Sequence, residues 1–394
     1  MKHLLAAAAA VVLLVAPTQG RAETKEFSRL RSAVLDSAHR GAVVDAYAAA
    51  RSIAAGSSAM DGSFLSGLVA FRYLNRADLA AEHFKQMAIL TDEPAEKSKA
   101  GFWLGRALAA MGRAEDAKKA YLASAQHAHT FYGQAAAART GVKIELPAAA
   151  RRLAGASDIQ AALATPEGQL ARAAQMAGNK AVRNAALKRI SAGDARRLVI
   201  GCGVANEIGA YDFAVDMARQ GERSGISLVD CGWPQVKVGW TDPRGPRELV
   251  WAVAREESKF DQIQQSGKGA QGFMQVMPGT AQHVGRRAGV AIDPVQMRIN
   301  RDYNIAVGSN YLAGLLAQFA GNPVLAVAAY NAGPQRVNDW IAARGDPRTG
   351  TIDVIDWIEE IPFTETRNYV KKVVANYVVY LAKKTVQSAS ASHE

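Results

Sequence analysis

Residues 252–261 read AVAREESKFD, and two carboxylates, Glu256 and Glu257, stand side by side where an apolar helical pattern runs out. Such a pair is either a solvated helix end or part of an active site. A carboxyl group can protonate a poor leaving group only if its pKa rises from about 4.3 toward neutrality, and burial against apolar groups does that. Leu249, Val250, Val253 and Ala254 supply an apolar side to the helix that ends at the pair. Neighbouring side chains on a helix diverge by about 100°, so the two acids do not share one cleft. The helix alone does not say which of them would face it.

Three further stretches place polar groups in glycine-bounded turns: SGKGAQGFMQVMPGTA (266–281), AYNAGPQRV (329–337) and IPFTETRNYV (361–370). Their candidate residues each have two readings. Ser266 contacts a ligand or caps a turn. Gln275 lines a cleft or ties its loop together, and Met277 is a cleft wall or core filler. Tyr330 is a cleft floor or a core aromatic, with Asn331 bracing the same turn. Glu365 meets a ligand or is a first-turn acid favoured by the helix N-terminus. Trp340 and Trp357 stack on a ligand or pack the core. Asp261, the nearest other acid downstream, pairs with a base or caps a turn.

Taken with REESKF (255–260), these stretches resemble, in order and spacing, the soluble lytic transglycosylases of the bacterial cell wall. The resemblance covers residues 240–385 well and the preceding region more loosely, with FYGQAAAARTG (131–141) its most telling piece. It implies an all-α chain, a helical solenoid followed by a lysozyme-like domain. It also implies cleavage of the β-1,4 bond between N-acetylmuramic acid and N-acetylglucosamine with formation of 1,6-anhydro ends, and no metal or cofactor. Position by position, the family's general acid falls at Glu257. Its substrate contacts fall at Ser266, Gln275, Met277, Tyr330 and Asn331, and its peptide-facing glutamate at Glu365. Turned away by helical geometry, Glu256 is the solvent-facing neighbour or pairs with Arg255 or Lys259, and Ser258 fixes the helix end. Phe273, Gln271 and Glu256 depart from the family's usual Leu, small residue and Gln, which touches cleft walls and charge. A hydrolytic muramidase and a non-catalytic wall-binding scaffold are the competing readings.

The positioning elements are read as helices throughout. Residues 241–388 form one compact helical domain: 248–258, 274–287 broken at Pro278 with Thr280 capping the helix that follows, then 304–319, 325–330, 337–343 and 363–382. Only 352–357 hints at strand alternation, and it suits a loop equally. From 23 to 220 alanine-rich apolar spacing predicts helix pairs. GLVAFRYLNRADLAAEHF (67–84) and LGRALAAMGRAEDAKKAY (104–121) repeat at an offset of 37, as in a tetratricopeptide-like solenoid. The chain is shorter than the family's largest helical domains, so a partial arc is expected. Its surface would cradle a glycan strand or dock a cell-wall synthesis or envelope protein. Residues 221–240, rich in Gly and Pro, are the connector.

Residues 1–22 have a basic start, a short apolar run and a small-x-small end, the form of an export signal, which predicts a periplasmic protein without stable membrane insertion. The net charge of +11 favours an anionic partner such as cell wall, and no zinc-finger or Walker spacing points to nucleic acid. The two cysteines, Cys202 and Cys231, either close a loop of about 30 residues or stay buried thiols.

Overall fold

The structure, a computed structural model, describes residues 24–56, 58–144, 153–237 and 242–391; the leader stretch 1–22 lies outside them. It is all-α. Among the described residues, β-pairing is confined to two isolated bridges, Gln265 with Gln271 and Gln271 with Val276.

The repeat is visible as two antiparallel pairs, Ala59–Arg72 with Ala77–Ile89 and Pro94–Ala110 with Ala114–Ala125. The tight turns use positive φ at Asn75 (+53°) and Gly112 (+73°), a region that short polar residues and glycine tolerate. Where the paired helices cross, an aromatic ring lies on a glycine. A Cβ on Gly67 would sit 2.5 Å from the Phe84 ring, and one on Gly105 would sit 2.7 Å from Tyr121. Phe64, Phe84 and Phe102 surround the fully buried Trp103. This is one apolar core, running from Phe27 to Ala136 and taking in Ile355 from the C-terminal region.

A second core begins with the helices Ala156–Ala164, Pro166–Met176, Lys180–Ser191, Ala195–Glu207 and Tyr211–Arg223, and continues without a break into the C-terminal helices as far as Tyr380. The Gly- and Pro-rich stretch is packed into it through Leu228, Val229, Cys231, Trp233 and Val236. Cys231 is disulfide-bonded to Cys202. Trp233, 2 % exposed, donates its indole N–H to Asn376 at 2.8 Å. Lys383 donates to the carbonyl of the same Trp233 at 2.7 Å.

In the C-terminal region Arg247–Glu257 is the central helix, packed against the long closing helix Thr364–Ala391. Two expectations need correction. Thr280 is not a cap: Pro278 opens the helix Pro278–Ala288 and Met277 is its N-cap, because proline fits the first helical position, where its missing N–H is not needed. Residues 354–359 are helical, started by Asp353, whose side chain accepts the Ile355 N–H at 2.9 Å.

The N-terminal helices are fastened to that short helix by charge. Asp353, Asp356, Glu359 and Glu360 meet Arg139 (2.6 Å), Arg72 and Arg106, Arg31 (3.2 Å) and His39 (2.9 Å) respectively. Ser28 and Thr364 share a 2.6 Å hydrogen bond.

Candidate active site

Glu257 is the last residue of its helix, and the backbone beyond it turns abruptly. Lys259 and Phe260 both have positive φ, +53° and +66°. Two consecutive non-glycine residues in the left-handed region are strained and persist only when their surroundings hold them. Here Lys259 pairs with Asp216 at 2.6 Å, and the Phe260 ring lies 5.4 Å from Phe273 and 6.1 Å from Tyr211. Ser258 donates to the carbonyl of Phe273 at 2.6 Å, tying the helix end to the glycine-rich loop.

That loop has its own anchor. Asn304, fully buried, accepts the Met274 N–H at 2.8 Å and donates to the carbonyls of Gln271 and Met297 at 2.9 and 3.0 Å. Gly272 lies against it: a Cβ there would fall 2.4 Å from the Asn304 amide. Gln275 donates to Gln264 and Gly272 carbonyls, each at 2.9 Å, so its amide stitches the loop. Ser266 accepts the Ala270 N–H at 2.9 Å as a turn cap. Met277 is 42 % exposed at the loop's far end.

Across from the acid stand two tyrosines. Tyr369 donates its hydroxyl to Oε1 of Glu257 at 2.7 Å. Tyr330 donates to the carbonyl of Met274 at 2.8 Å and packs on Tyr311. Burial, with the charge of Glu257 close by, pushes both hydroxyls well above the usual tyrosine range. Asn331 accepts from Thr366 at 2.7 Å, linking the Tyr330 turn to the closing helix. Glu365 is exposed in the first turn of that helix. Trp357 and Trp340 are core residues, 0 % and 6 % exposed, and present no sugar platform.

Burial raises Glu257 from 4.5 to about 7; the Tyr369 hydrogen bond opposes this, and the charges of Glu256 and Glu365 add to it. The group therefore stays protonated to near neutrality while keeping a partner that stabilises its ionised form. Glu256 is not solvent-facing. Its side chain is 8 % exposed and lies among Arg219, Arg255 and Lys372. Burial pushes its carboxyl up, but those cations outweigh burial and hold it below the usual range. The divergence of the two acids is real; the second face is covered by residues from distant segments. Asp261 both pairs with Lys180 and accepts the Ile263 N–H.

A helical domain that holds one acid, protonated near neutrality, at a helix end beneath a glycine-rich loop is of the lysozyme-like class. Residues 240–352 match the transglycosylase SLT domain family. Over 137 residues it is 39 % identical to the soluble lytic murein transglycosylase of Escherichia coli K12, covering 34 % of this chain and 20 % of that protein. The putative soluble lytic murein transglycosylase of Haemophilus influenzae is 35 % identical over 129 residues, 33 % of this chain and 21 % of that one. The matched region is thus about a fifth of these relatives' length. An inactive glutamate-to-glutamine variant of lytic transglycosylase Slt from Pseudomonas aeruginosa superposes with a TM-score of 0.70 at 27 % identity, covering 90 % of this chain and 57 % of that one. The 70 kDa soluble lytic transglycosylase of E. coli shares the fold, with a TM-score of 0.60 at 21 % identity over 92 % of this chain and 63 % of that one.

Proposed function

We propose that the chain is a peptidoglycan lytic transglycosylase that cleaves between N-acetylmuramic acid and N-acetylglucosamine and leaves 1,6-anhydromuramic ends. The observation that carries this is Glu257, buried, protonated to about pH 7 and hydrogen-bonded to Tyr369. The inactivating glutamate-to-glutamine change named for the Pseudomonas structure supports one essential acid.

In this reading the Glu257 carboxyl gives its proton to the glycosidic oxygen as the bond from C1 breaks. The N-acetyl group of the substrate steadies the positive charge at C1. The C6 hydroxyl of the same sugar then closes on C1, and the Glu257 carboxylate takes its proton, so no water is consumed. Tyr369 holds the carboxylate in place between the two transfers. Tyr330, Gln275 and Ser266 shape the cleft through the loop they brace, Asn331 secures the Tyr330 turn, and Met277 offers an exposed apolar wall. Glu365 faces the peptide stem.

The second reading is hydrolysis, which needs a second carboxylate to activate water or attack C1. Glu256 and Asp261 are held by cations. Glu365 is exposed and close enough for its charge to act on Glu257, which makes it the candidate for that role. Mass analysis of fragments released from purified peptidoglycan decides: anhydro ends support transglycosylation, and reducing muramic ends support hydrolysis through Glu365. Wall binding without lysis would mean a scaffold.

The chain is read as a leader (1–22), a helical solenoid (23–220), a connector (221–240) and the lysozyme-like domain (241–388), acting in the periplasm. The net charge of +11 suits an anionic wall, and no helix among the described residues is long and apolar enough to cross a membrane. The solenoid is the surface for a glycan strand or an envelope protein.

A further inference from the structure

Glu256 is a buried carboxylate that the mechanism above does not use. Its Oε1 accepts from Asn376 at 3.0 Å and from Arg219 at 3.2 Å, and lies 3.5 Å from Arg255; Lys372 stands 4.0 Å from Oε2. These partners come from three elements. Arg219 belongs to the helix Tyr211–Arg223, Arg255 to the helix of the acid itself, and Lys372 and Asn376 to the closing helix. Asn376 is itself fixed, accepting from the Trp233 indole at 2.8 Å and from Arg255 at 3.0 Å. One carboxylate thus pins the helix 211–223, the helix that ends in Glu257 and the helix that carries Tyr369.

We propose that Glu256 is a positioning residue for Glu257: its ionised carboxylate clamps the three helices around the acid and places a fixed negative charge behind it. The clamp joins the helices that precede the catalytic domain to the proton donor through Arg219. The proposal rests on Glu257 being the acid. The groups that act on Glu257 are Tyr369 and Glu365 from the closing helix and Glu256 from its own; Tyr330 from the helix Pro323–Ala332 feels its charge. Those that act on Glu256 are Arg219, Arg255, Lys372 and Asn376. A charge kept negative by its own cations opposes ionisation of a neighbouring carboxyl, and loss of one of those cations increases the opposition.

The test compares Glu256→Gln with Arg219→Met, following the Glu257 carboxyl by NMR in glutamate-labelled protein, assigned by its loss in Glu257→Gln. The pH–rate profile on insoluble peptidoglycan is recorded in parallel. The titration should move down by about half a unit or more in Glu256→Gln and up in Arg219→Met, and the alkaline limb of lysis should follow each. Opposite directions are the signature, because a merely structural role lowers thermal stability in both variants and moves neither titration. Titrations that stay put, or move the same way, overturn the proposal; should Glu256→Gln not fold, an unmoved titration in Arg219→Met does so alone. Titrations that move as expected while lysis ignores them support the fixed charge of Glu256 beside Glu257 and sink Glu257 as the acid.

Discussion

The hydroxyl of Tyr369 donates a 2.7 Å hydrogen bond to Oε1 of Glu257, a residue 112 positions away. The bond favours the ionised carboxylate and so lowers the pKa that burial raises. In the proposed reaction the same bond holds the orientation of Glu257 while it is ionised.

Tyr369→Phe should therefore slow lysis by about 10- to 100-fold, the range for losing a hydrogen bond to a charged group. It should also shift the alkaline limb of the pH–rate profile upward. A variant with normal rate and an unmoved limb would show that the bond is structural only.

The raised pKa of Glu257 links pH to stability. Its folded value, about 7, lies above the ordinary 4.5, so between these values the native state binds the extra proton. The group's stabilising share is complete below 4.5 and lost as pH rises through about 7. Glu257→Gln removes that loss: it should abolish lysis yet be more stable than the parent at alkaline pH, by up to about 3 kcal/mol. The gap should vanish in acid. Urea unfolding at several pH values measures it, and a Gln variant less stable than the parent at every pH would refute the burial argument.

Much of the frame was legible in the residues. The 37-residue offset between Phe84 and Tyr121 marks rings that do lie on glycines of the paired helices. The apolar face ending at the Glu256–Glu257 pair allowed a buried acid, and only the motifs downstream singled out Glu257. Glu256 was misread because helical geometry separates two neighbours but does not reveal what covers the second. Its cover, Arg219, Lys372 and Asn376, comes from segments far along the chain. Tyr369 was missed although it lies inside IPFTETRNYV: four residues past Glu365, it shares that residue's helix face, a spacing that could have found it. Asn304 gave no local signal, since a buried amide in a helix is recognised only once the loop it binds is in place.

The acidic helix Val354–Glu359 offers a test of how the N-terminal helices are held. Glu359, with a side chain 1 % exposed, meets Arg31 at 3.2 Å, Lys371 at 3.0 Å and the Tyr132 hydroxyl. Burial pushes its carboxyl up, but Lys371, Arg31, Lys99 and Arg367 together hold it well below the ordinary carboxylate range. Its contribution is therefore present above the ordinary 4.5 and lost as pH falls toward the depressed value. Glu359→Gln leaves buried cations without their counter-charge and should destabilise the chain by about 3–5 kcal/mol near neutrality. It should also flatten the decline of stability in acid. Thermal and urea unfolding read both, and an unchanged acid slope would place the acid sensitivity elsewhere.

The disulfide gives the last test. Cys202 and Cys231 are bonded across a sequence separation of 29, and closing a loop of that size restricts the unfolded chain by about 3–4 kcal/mol. The bond joins the helix Ala195–Glu207 to the short helix Val229–Gly232, just before Trp233, whose indole holds Asn376. Replacing both cysteines with alanine should lower stability by that order. The Glu257 titration should stay in place, because Asn376 remains gripped by Arg255 and Glu256. A stability loss with an unshifted alkaline limb would locate the disulfide's role in the unfolded state. A shifted limb would instead show that the segment from Cys231 to Trp233 relays its position to the acid.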